Sequence, residues 1–198
     1  MTARRGMTLL ELVIGLTVGG AALALGGATF ATLLDRRDAL LADADTDARA
    51  LTSRRALEAW LAEARAGTGS DDGLVGRTAT LRAADGALAD DVASFTTTAD
   101  GDLRRIRLFV DRSAGHSDLV AEMVRRDGDS SRTVLARDVA GLEVKYLTSA
   151  FGRREWRRTW DGGALMPGAV GLRLQAREGY ALPPALQLPI TIPLPNGR

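Results

Sequence analysis

One uninterrupted apolar segment near the N-terminus limits what this chain can fold into. Residues 7–34 contain a single charged side chain, Glu11, and as a helix they would be about 42 Å long at 1.5 Å per residue. That length exceeds the ~30 Å hydrocarbon core of a bilayer. No proline precedes Pro167, so none interrupts a long helix. The segment therefore predicts a membrane-spanning helix, because a secretory signal peptide has an apolar region of only about 7 to 15 residues.

Basic residues ahead of this segment set its orientation. Arg4 and Arg5 precede it, and no cluster of one sign follows it immediately. The positive-inside rule then leaves the N-terminus in the cytoplasm. We expect a single-pass protein whose remaining residues form a periplasmic or extracellular head.

Glu11 is the residue that an ordinary membrane anchor does not explain. A carboxylate at the bilayer centre costs about 2.5 to 3.5 kcal/mol on insertion scales. Together with Arg4-Arg5-Gly6 and Met7-Thr8-Leu9-Leu10, it completes a pattern that resembles the class III signal of type IV pilins and pseudopilins. The resemblance covers roughly the first 35 residues and departs from the family at Met7, where phenylalanine is usual. The alternative is an interfacial glutamate that reaches the lipid headgroups.

This resemblance implies a processing site and an assembly role. A prepilin peptidase and N-methyltransferase would cut after Gly6 and methylate the new amine of Met7. Glu11 would lie about 6 Å along the helix from that amine and would neutralise the Met7 amine of a neighbouring subunit. A buried charge without a partner is costly, so subunits in the wrong axial register, with Glu11 unpaired, would be disfavoured.

Glycines in the same segment have a spacing that helps helices to associate. Gly15 and Gly19 lie one turn apart, and small residues at this spacing let membrane helices approach closely. The alternative is chance, because the chain has 22 glycines.

After Leu34 the sequence becomes charged but keeps an approximately helical spacing of apolar residues. The positions are Leu33, Leu40, Ala44, Ala48, Leu51, Leu57, Trp60, Leu61 and Ala64. We predict a leader at residues 1–6, a transmembrane or filament-core helix at 7–34, its amphipathic continuation at 35–66 and a β-rich head at 67–198. The predicted fold class is α+β, with a long N-terminal hydrophobic helix packed on a C-terminal antiparallel sheet, as the resemblance to pilins also implies.

Short alternating runs predict the strands of the head. Six of them cover residues 74–81, 92–98, 103–110, 119–125, 133–136 and 142–147, and two more follow Pro167. Asp127-Gly128-Asp129 has the chemistry of a hairpin turn and lacks the spacing of a calcium loop. The prolines near the C-terminus predict an edge strand or an extended arm.

Composition argues against catalysis and against nucleic-acid binding. The 26 basic and 25 acidic residues nearly cancel, so no overall field attracts nucleic acid. Cysteine is absent, and the one histidine, His116, lies in a polar turn where an exposed side chain is the expected state. We expect a non-enzymatic protein with no cofactor, no metal site and no nucleic-acid partner.

A second resemblance lies in the head. Residues 134–147, Trp156, Trp160 and residues 165–174 resemble the J-type minor pseudopilin of the type II secretion system, with Met166 as a departure. This implies a structural subunit at the tip of a periplasmic pseudopilus that helps to export folded periplasmic proteins. The implied partners are the H-, I- and K-type minor pseudopilins, the major pseudopilin, the prepilin peptidase and inner-membrane lipid, with the subunit working in a hetero-oligomer.

Trp156 and Trp160 lie among four arginines, so they could present an aromatic and guanidinium surface to a partner. The alternative is that they pack the core under a loop, with the arginines solvated.

Two other assignments stay open on sequence alone. A minor pilin of a type IV pilus or of a DNA-uptake machine would share the N-terminus and differ in its head. A membrane-anchored periplasmic domain would keep an uncleaved leader.

Overall fold

The computed structural model describes residues 9–67, 73–83, 86–99, 101–150 and 153–194. The chain divides into two compact units, Met1–Asp45 and Thr46–Arg198. Helix α1, Leu9–Ala62, forms the described part of the first unit and begins the second. Strands and two short helical segments form the rest of the second unit. The predicted α+β class with a long N-terminal apolar helix is therefore confirmed.

In the first unit α1 exposes its apolar side chains. The large apolar side chains of residues 9–34 are between 40% and 85% exposed. Among the described residues, α1 is the one helix long and apolar enough to cross a membrane. Its length and composition are thus compatible with a single membrane span.

In the second unit the last turns of α1 become part of the core. Leu57, Trp60 and Leu61 are buried there, three to four residues apart, together with Ala50 two turns earlier. Two other apolar positions of the predicted helical spacing, Leu40 and Leu51, also lie on α1 but are exposed.

The helix ends at Ala62, before the predicted end near residue 66. Ala64 and Arg65 form strand β1 instead and pair with Thr97 and Thr96. Sheet hydrogen bonds therefore replace the last helical turn.

Twelve strands are described, all of them short to medium in length. They are β1 (Ala64–Arg65), β2 (Val75–Arg77), β3 (Thr80–Ala83), β4 (Gly86–Ala89), β5 (Val92–Thr97), β6 (Arg104–Asp111), β7 (Asp118–Arg125), β8 (Ser130–Ala136), β9 (Val139–Ala150), β10 (Arg153–Arg157), β11 (Ala169–Ala176) and β12 (Ile190–Pro193). A 3-10 turn lies at Ser113–Gly115, and α2 is the single turn Pro184–Gln187.

These strands form three antiparallel sheets. The first has six strands in the order β1-β5-β6-β7-β8, with β2 also paired to β5. The second has the order β10-β9-β11-β12, and β3 pairs with β4 alone. Two isolated bridges lie outside these pairings: Asp90, which precedes β5, pairs with Leu142 of β9, and Gly76 of β2 pairs with Trp160, which follows β10.

One face of each large sheet contributes to a shared core. In the six-stranded sheet Phe95, Ile106 and Leu108 are buried, and in the four-stranded sheet Val144 and Tyr146 are buried in the same cluster. Intervening positions such as Arg105 and Arg107 are exposed, which is the alternation expected of half-buried strands.

Several strand predictions are confirmed and one is wrong. The runs at 92–98, 103–110 and 119–125 correspond to β5, β6 and β7. The run at 74–81 is instead split into β2 and β3, which belong to different sheets.

The predicted hairpin at Asp127–Asp129 connects β7 to β8. Gly128 has φ +88°, and the N–H of Arg125 donates to the carbonyl of Asp129 over 2.8 Å. The predicted C-terminal edge strand is β12, which ends at Pro193 and pairs only with β11 among the described strands. Proline is compatible with an edge strand because it has no backbone N–H that a further strand would have to accept.

Candidate functional site

Glu11 lies in the first turn of α1, near the beginning of the described chain. Gly6 and Met7, the predicted cleavage and methylation residues, lie outside the described residues. Residues 12–34 follow Glu11 without a charge and extend for about 34 Å as helix, enough to cross a bilayer core.

Gly15 and Gly19 leave the backbone of the same helix uncovered by side chains at these two positions. An added Cβ at either position would meet no atom within 4 Å. They lie one turn apart, so the backbone is accessible along one stripe of the helix. Another helix could approach closely at this stripe.

Three described threonines of the apolar segment satisfy their hydroxyl donors within the helix. Thr17 donates to the carbonyl of Val13 over 3.0 Å, and Thr29 donates to that of Leu25 over 2.9 Å. Thr32 donates to the carbonyl of Ala28 in the same way. These hydroxyl donors therefore need no water, which suits a helix surrounded by lipid or by other apolar helices.

In the head, Trp156 and Trp160 have different surroundings. Trp160 is half-buried, and its ring centroid lies 6.3 Å from that of Tyr146 in the core. Trp156 is 44% exposed on β10, and its Cζ3 lies 3.3 Å from where a Cβ on Gly171 would be. Trp160 therefore packs against the core, as one alternative predicted, whereas Trp156 lies on the surface, where a partner can reach it.

Arg158, one of the neighbouring arginines, is not simply solvated as predicted. Its Nη2 lies 3.6 Å from Oδ1 of Asp91, which is 1% exposed. Oδ2 of Asp91 accepts the N–H of Val144 over 2.9 Å. Asp91 thus joins the start of β5 to the middle of β9.

Sequence reasoning missed this buried carboxylate. Burial raises the pKa of Asp91, while the Val144 N–H and Arg158 act in the opposite direction. The same burial, with the negative charge of Asp91 nearby, raises the pKa of Tyr146 well above its usual range. In sequence Asp91 follows Asp90 in a polar turn, and no periodicity distinguishes it from the other 24 acidic residues.

We expect Asp91→Asn to flatten the pH dependence of head stability. Because the folded-state pKa is raised, the folded state favours the protonated carboxyl. That stability is fully present below the unfolded-state pKa near 3.8 and is lost as pH rises through the folded-state value. Asparagine does not titrate and can still accept the Val144 N–H, so the variant should stay within about 1 kcal/mol of wild type at pH 7.

Thermal unfolding at intervals from pH 4 to pH 7 measures this effect. The wild-type melting temperature should fall with rising pH more steeply than that of Asp91→Asn. Parallel curves for the two proteins would contradict a raised pKa at Asp91.

An open groove of about 620 Å³ lies elsewhere in the second unit. Its floor is apolar and includes the buried residues Ala50, Leu135 and Leu186, and Arg49 and Arg137 also line it. His116 is exposed after the 3-10 turn, as predicted. Among the described residues, no group of three or more histidine, aspartate or glutamate side chains is arranged to hold a metal ion.

The structure thus presents two features. Residues 9–34 of α1 are apolar and exposed, with Glu11 as their one carboxylate. The β-rich second unit exposes Trp156 on strand β10. No known family model matches the sequence, and no curated protein is significantly similar to it.

Proposed function

We propose that this chain is a minor pilin-like subunit. It is anchored in the bacterial inner membrane by α1, cut after Gly6, and assembled through α1 into a periplasmic filament. Its role is structural, and it uses no cofactor.

The exposed apolar surface of α1 carries this proposal. The side chains of residues 9–34 are exposed over a length that spans a bilayer. Exposed apolar area of this extent is unfavourable in water, at about 25 cal/mol per Å². Lipid must cover it before assembly, and the helices of other subunits can cover it afterwards.

The position of Glu11 makes filament assembly a better explanation than simple anchoring. A permanent anchor gains nothing from a carboxylate at the start of its apolar run, where insertion is penalised. A filament subunit gains a charge that pairs with the amine of its neighbour. The Arg4-Arg5-Gly6-Met7 sequence provides the cleavage site that would create this amine.

Within this class we propose the J-type role, at the tip of a type II secretion pseudopilus with H-, I- and K-type partners. The support is the resemblance over residues 134–175. That range includes β9, β10 and β11, which are adjacent strands of one sheet. The resemblance therefore covers a continuous part of the head.

The mature N-terminus tests the proposed class. In cells with an active prepilin peptidase, the protein should begin at Met7 and carry a methylated amine. Mass spectrometry of the intact protein and of its N-terminal peptide measures this. A protein that still begins at Met1 would instead be an uncleaved membrane-anchored domain, and the proposal would fail.

The choice of partners tests the finer assignment. The full-length protein, co-expressed with tagged H-, I- and K-type minor pseudopilins, should co-purify with at least one of them in detergent. A deletion strain should lose protein secretion and keep twitching and DNA uptake. The opposite phenotype would assign the chain to a type IV pilus or a DNA-uptake machine.

A further inference from the structure

Strand β10 is an open edge of the four-stranded sheet. It pairs with β9 from Arg153↔Ala150 to Arg157↔Tyr146. No other described strand pairs with it, and all five of its residues are exposed. The backbone directly after them is already paired, because the hydroxyl of Thr78 donates to the carbonyl of Arg158 over 2.8 Å and Gly76 pairs with Trp160. Over Arg153–Arg157, however, the outer backbone groups are available to an added strand.

The side chains of β10 are mostly cationic. Three of its five residues are arginines, and the fourth charge is Glu155. Glu155 is partly neutralised within the strand, because its Oε2 lies 3.7 Å from Nη2 of Arg157. Both side chains remain more than half exposed, at 69% and 55%, so a partner can reach them.

Trp156 adds an apolar contact surface to this edge. Its ring lies against Gly171 on β11, where the missing side chain leaves room for it. Tryptophan and arginine are among the residues most enriched at binding hot spots, and the indole is 44% exposed to a partner. The edge thus combines free backbone groups, positive charge and one aromatic anchor.

We propose that β10 binds an extended acidic segment of a partner protein, which adds to the sheet as a further strand. Backbone hydrogen bonds would supply affinity, and the arginines and Trp156 would select the sequence. This proposal concerns the head alone. It does not depend on cleavage at Gly6 or on the filament assignment.

The charge pattern favours a peptide over other anions. Glu155 lies between Arg154 and Trp156 and interrupts the positive charge, which disfavours a continuous polyanion such as nucleic acid. An alternating strand can instead place its acidic residues away from Glu155. Arginine also binds carboxylates in a two-pronged geometry that lysine cannot match.

The register predicts which positions of the segment are acidic. Arg153, Glu155 and Arg157 lie on the sheet face shared with Tyr146, whereas Arg154 and Trp156 lie on the opposite face. A complementary strand therefore carries acidic residues four positions apart, a neutral residue midway, and apolar residues between them. The five-residue sequence Glu-Val-Thr-Val-Glu satisfies this pattern in both strand directions and matches the length of β10.

The test is binding of this labelled peptide, with blocked ends, to the full-length protein in non-ionic detergent, measured by fluorescence anisotropy. Replacing both glutamates of the peptide with lysine should abolish binding. Arg153→Glu with Arg157→Glu should weaken binding about tenfold or more. Arg126→Glu with Arg137→Glu makes the same charge change at exposed sites away from β10 and should leave binding within about twofold.

Two further probes separate strand addition from general anion binding. Two peptides, each methylated on one of the two alternate sets of backbone amides, keep all their charges. Only one set of amides faces β10 in an added strand, so one methylated peptide should bind about tenfold or more weakly and the other should bind like the parent. Trp156→Ala should weaken binding while leaving the fold intact by circular dichroism. The proposal is overturned if both methylated peptides bind as well as the parent, or if the Arg153/Arg157 variant binds like the control variant. It is also overturned if oligothymidylate or phosphatidylglycerol vesicles bind more tightly than the peptide.

Discussion

Glu11→Val should abolish incorporation of this protein into filaments while leaving its processing intact. We expect normal cleavage after Gly6, normal methylation of Met7 and normal membrane insertion. The mature protein should accumulate in the inner membrane. Its incorporation should fall by a factor of a hundred or more.

The physical reason is the cost of an unpaired charge in an apolar filament core. In the proposed assembly the Met7 amine of one subunit lies against Glu11 of the next. Removing one partner of a buried ion pair typically costs about 3 to 5 kcal/mol, because the other charge is left uncompensated. Each 1.4 kcal/mol is about a factor of ten in equilibrium constant. Valine is apolar and fits the helix, so insertion into the membrane should not suffer.

Site-specific cross-linking is a direct measurement of incorporation. The chain contains no cysteine, so a single cysteine introduced at Leu16 gives an unambiguous reporter on an exposed part of α1. Cross-links to other subunits are then compared for the wild type, Glu11→Val and Glu11→Gln. Glutamine keeps the shape and removes the charge, so it should fail as valine does.

Leu12→Val is the matched control, one residue along the same helix and 55% exposed. It should cross-link as the wild type does. Wild-type cross-linking by Glu11→Val, with Gly6 cut normally, would refute the proposed pairing.

The helix was the most predictable part of this structure because its signal is strong and local. Twenty-three uncharged residues after Glu11 and the absence of proline before Pro167 predict a long helix without any tertiary information. Its end was harder to predict. Ala64 and Arg65 join β5, more than thirty residues away in sequence, and a contact of that range leaves no local pattern.

Strands with one buried face were predictable, and exposed strands were not. In β6 the buried residues Ile106, Leu108 and Val110 alternate with residues that are less buried, and two of these less buried residues are arginines, so the sequence itself shows the half-buried strand. In β10 all five residues are exposed and four are charged, so its backbone pairing with β9 has no hydrophobic pattern to reveal it.

Sites formed by residues far apart in sequence are equally hard to predict, and the buried carboxylate of Asp91 is an example. Asp91 is defined by its contacts with Val144 and Arg158, which lie 53 and 67 residues away. Nothing about an Asp-Asp pair in sequence predicts such contacts. Glu11, in contrast, is a candidate that stands out in the sequence because its immediate neighbours are uncharged.

Gly76→Ala should destabilise the head by about 3 kcal/mol, through overpacking rather than backbone strain. A Cβ on Gly76 would overlap Oη, Cζ and Cε2 of Tyr146. The backbone of Gly76 does not have positive φ, so alanine is conformationally allowed there. For a domain of this size, the loss corresponds to a melting temperature lower by about 6 to 12 °C.

Neither the Tyr146 ring nor the backbone of Gly76 can move easily to relieve this overlap. Tyr146 is fully buried, and its ring packs beside Trp160. The N–H of Gly76 donates to the carbonyl of Trp160 over 2.7 Å, and on its other side Gly76 pairs with Ala93 in β5. The added methyl group must therefore distort a buried ring or separate two paired strands.

Gly171→Ala is the matched control for this prediction. Its added Cβ would lie 3.3 Å from the ring of Trp156, but that ring is exposed and can shift outward. Because alanine also restricts the unfolded chain, the change at Gly171 should cost less than about 1 kcal/mol. Combining Gly76→Ala with Tyr146→Leu removes the overlapping ring, so the double variant should be at least about 1 kcal/mol more stable than the sum of the single losses predicts. Additive losses would mean that overlap with the Tyr146 ring is not the cause of the Gly76→Ala destabilisation.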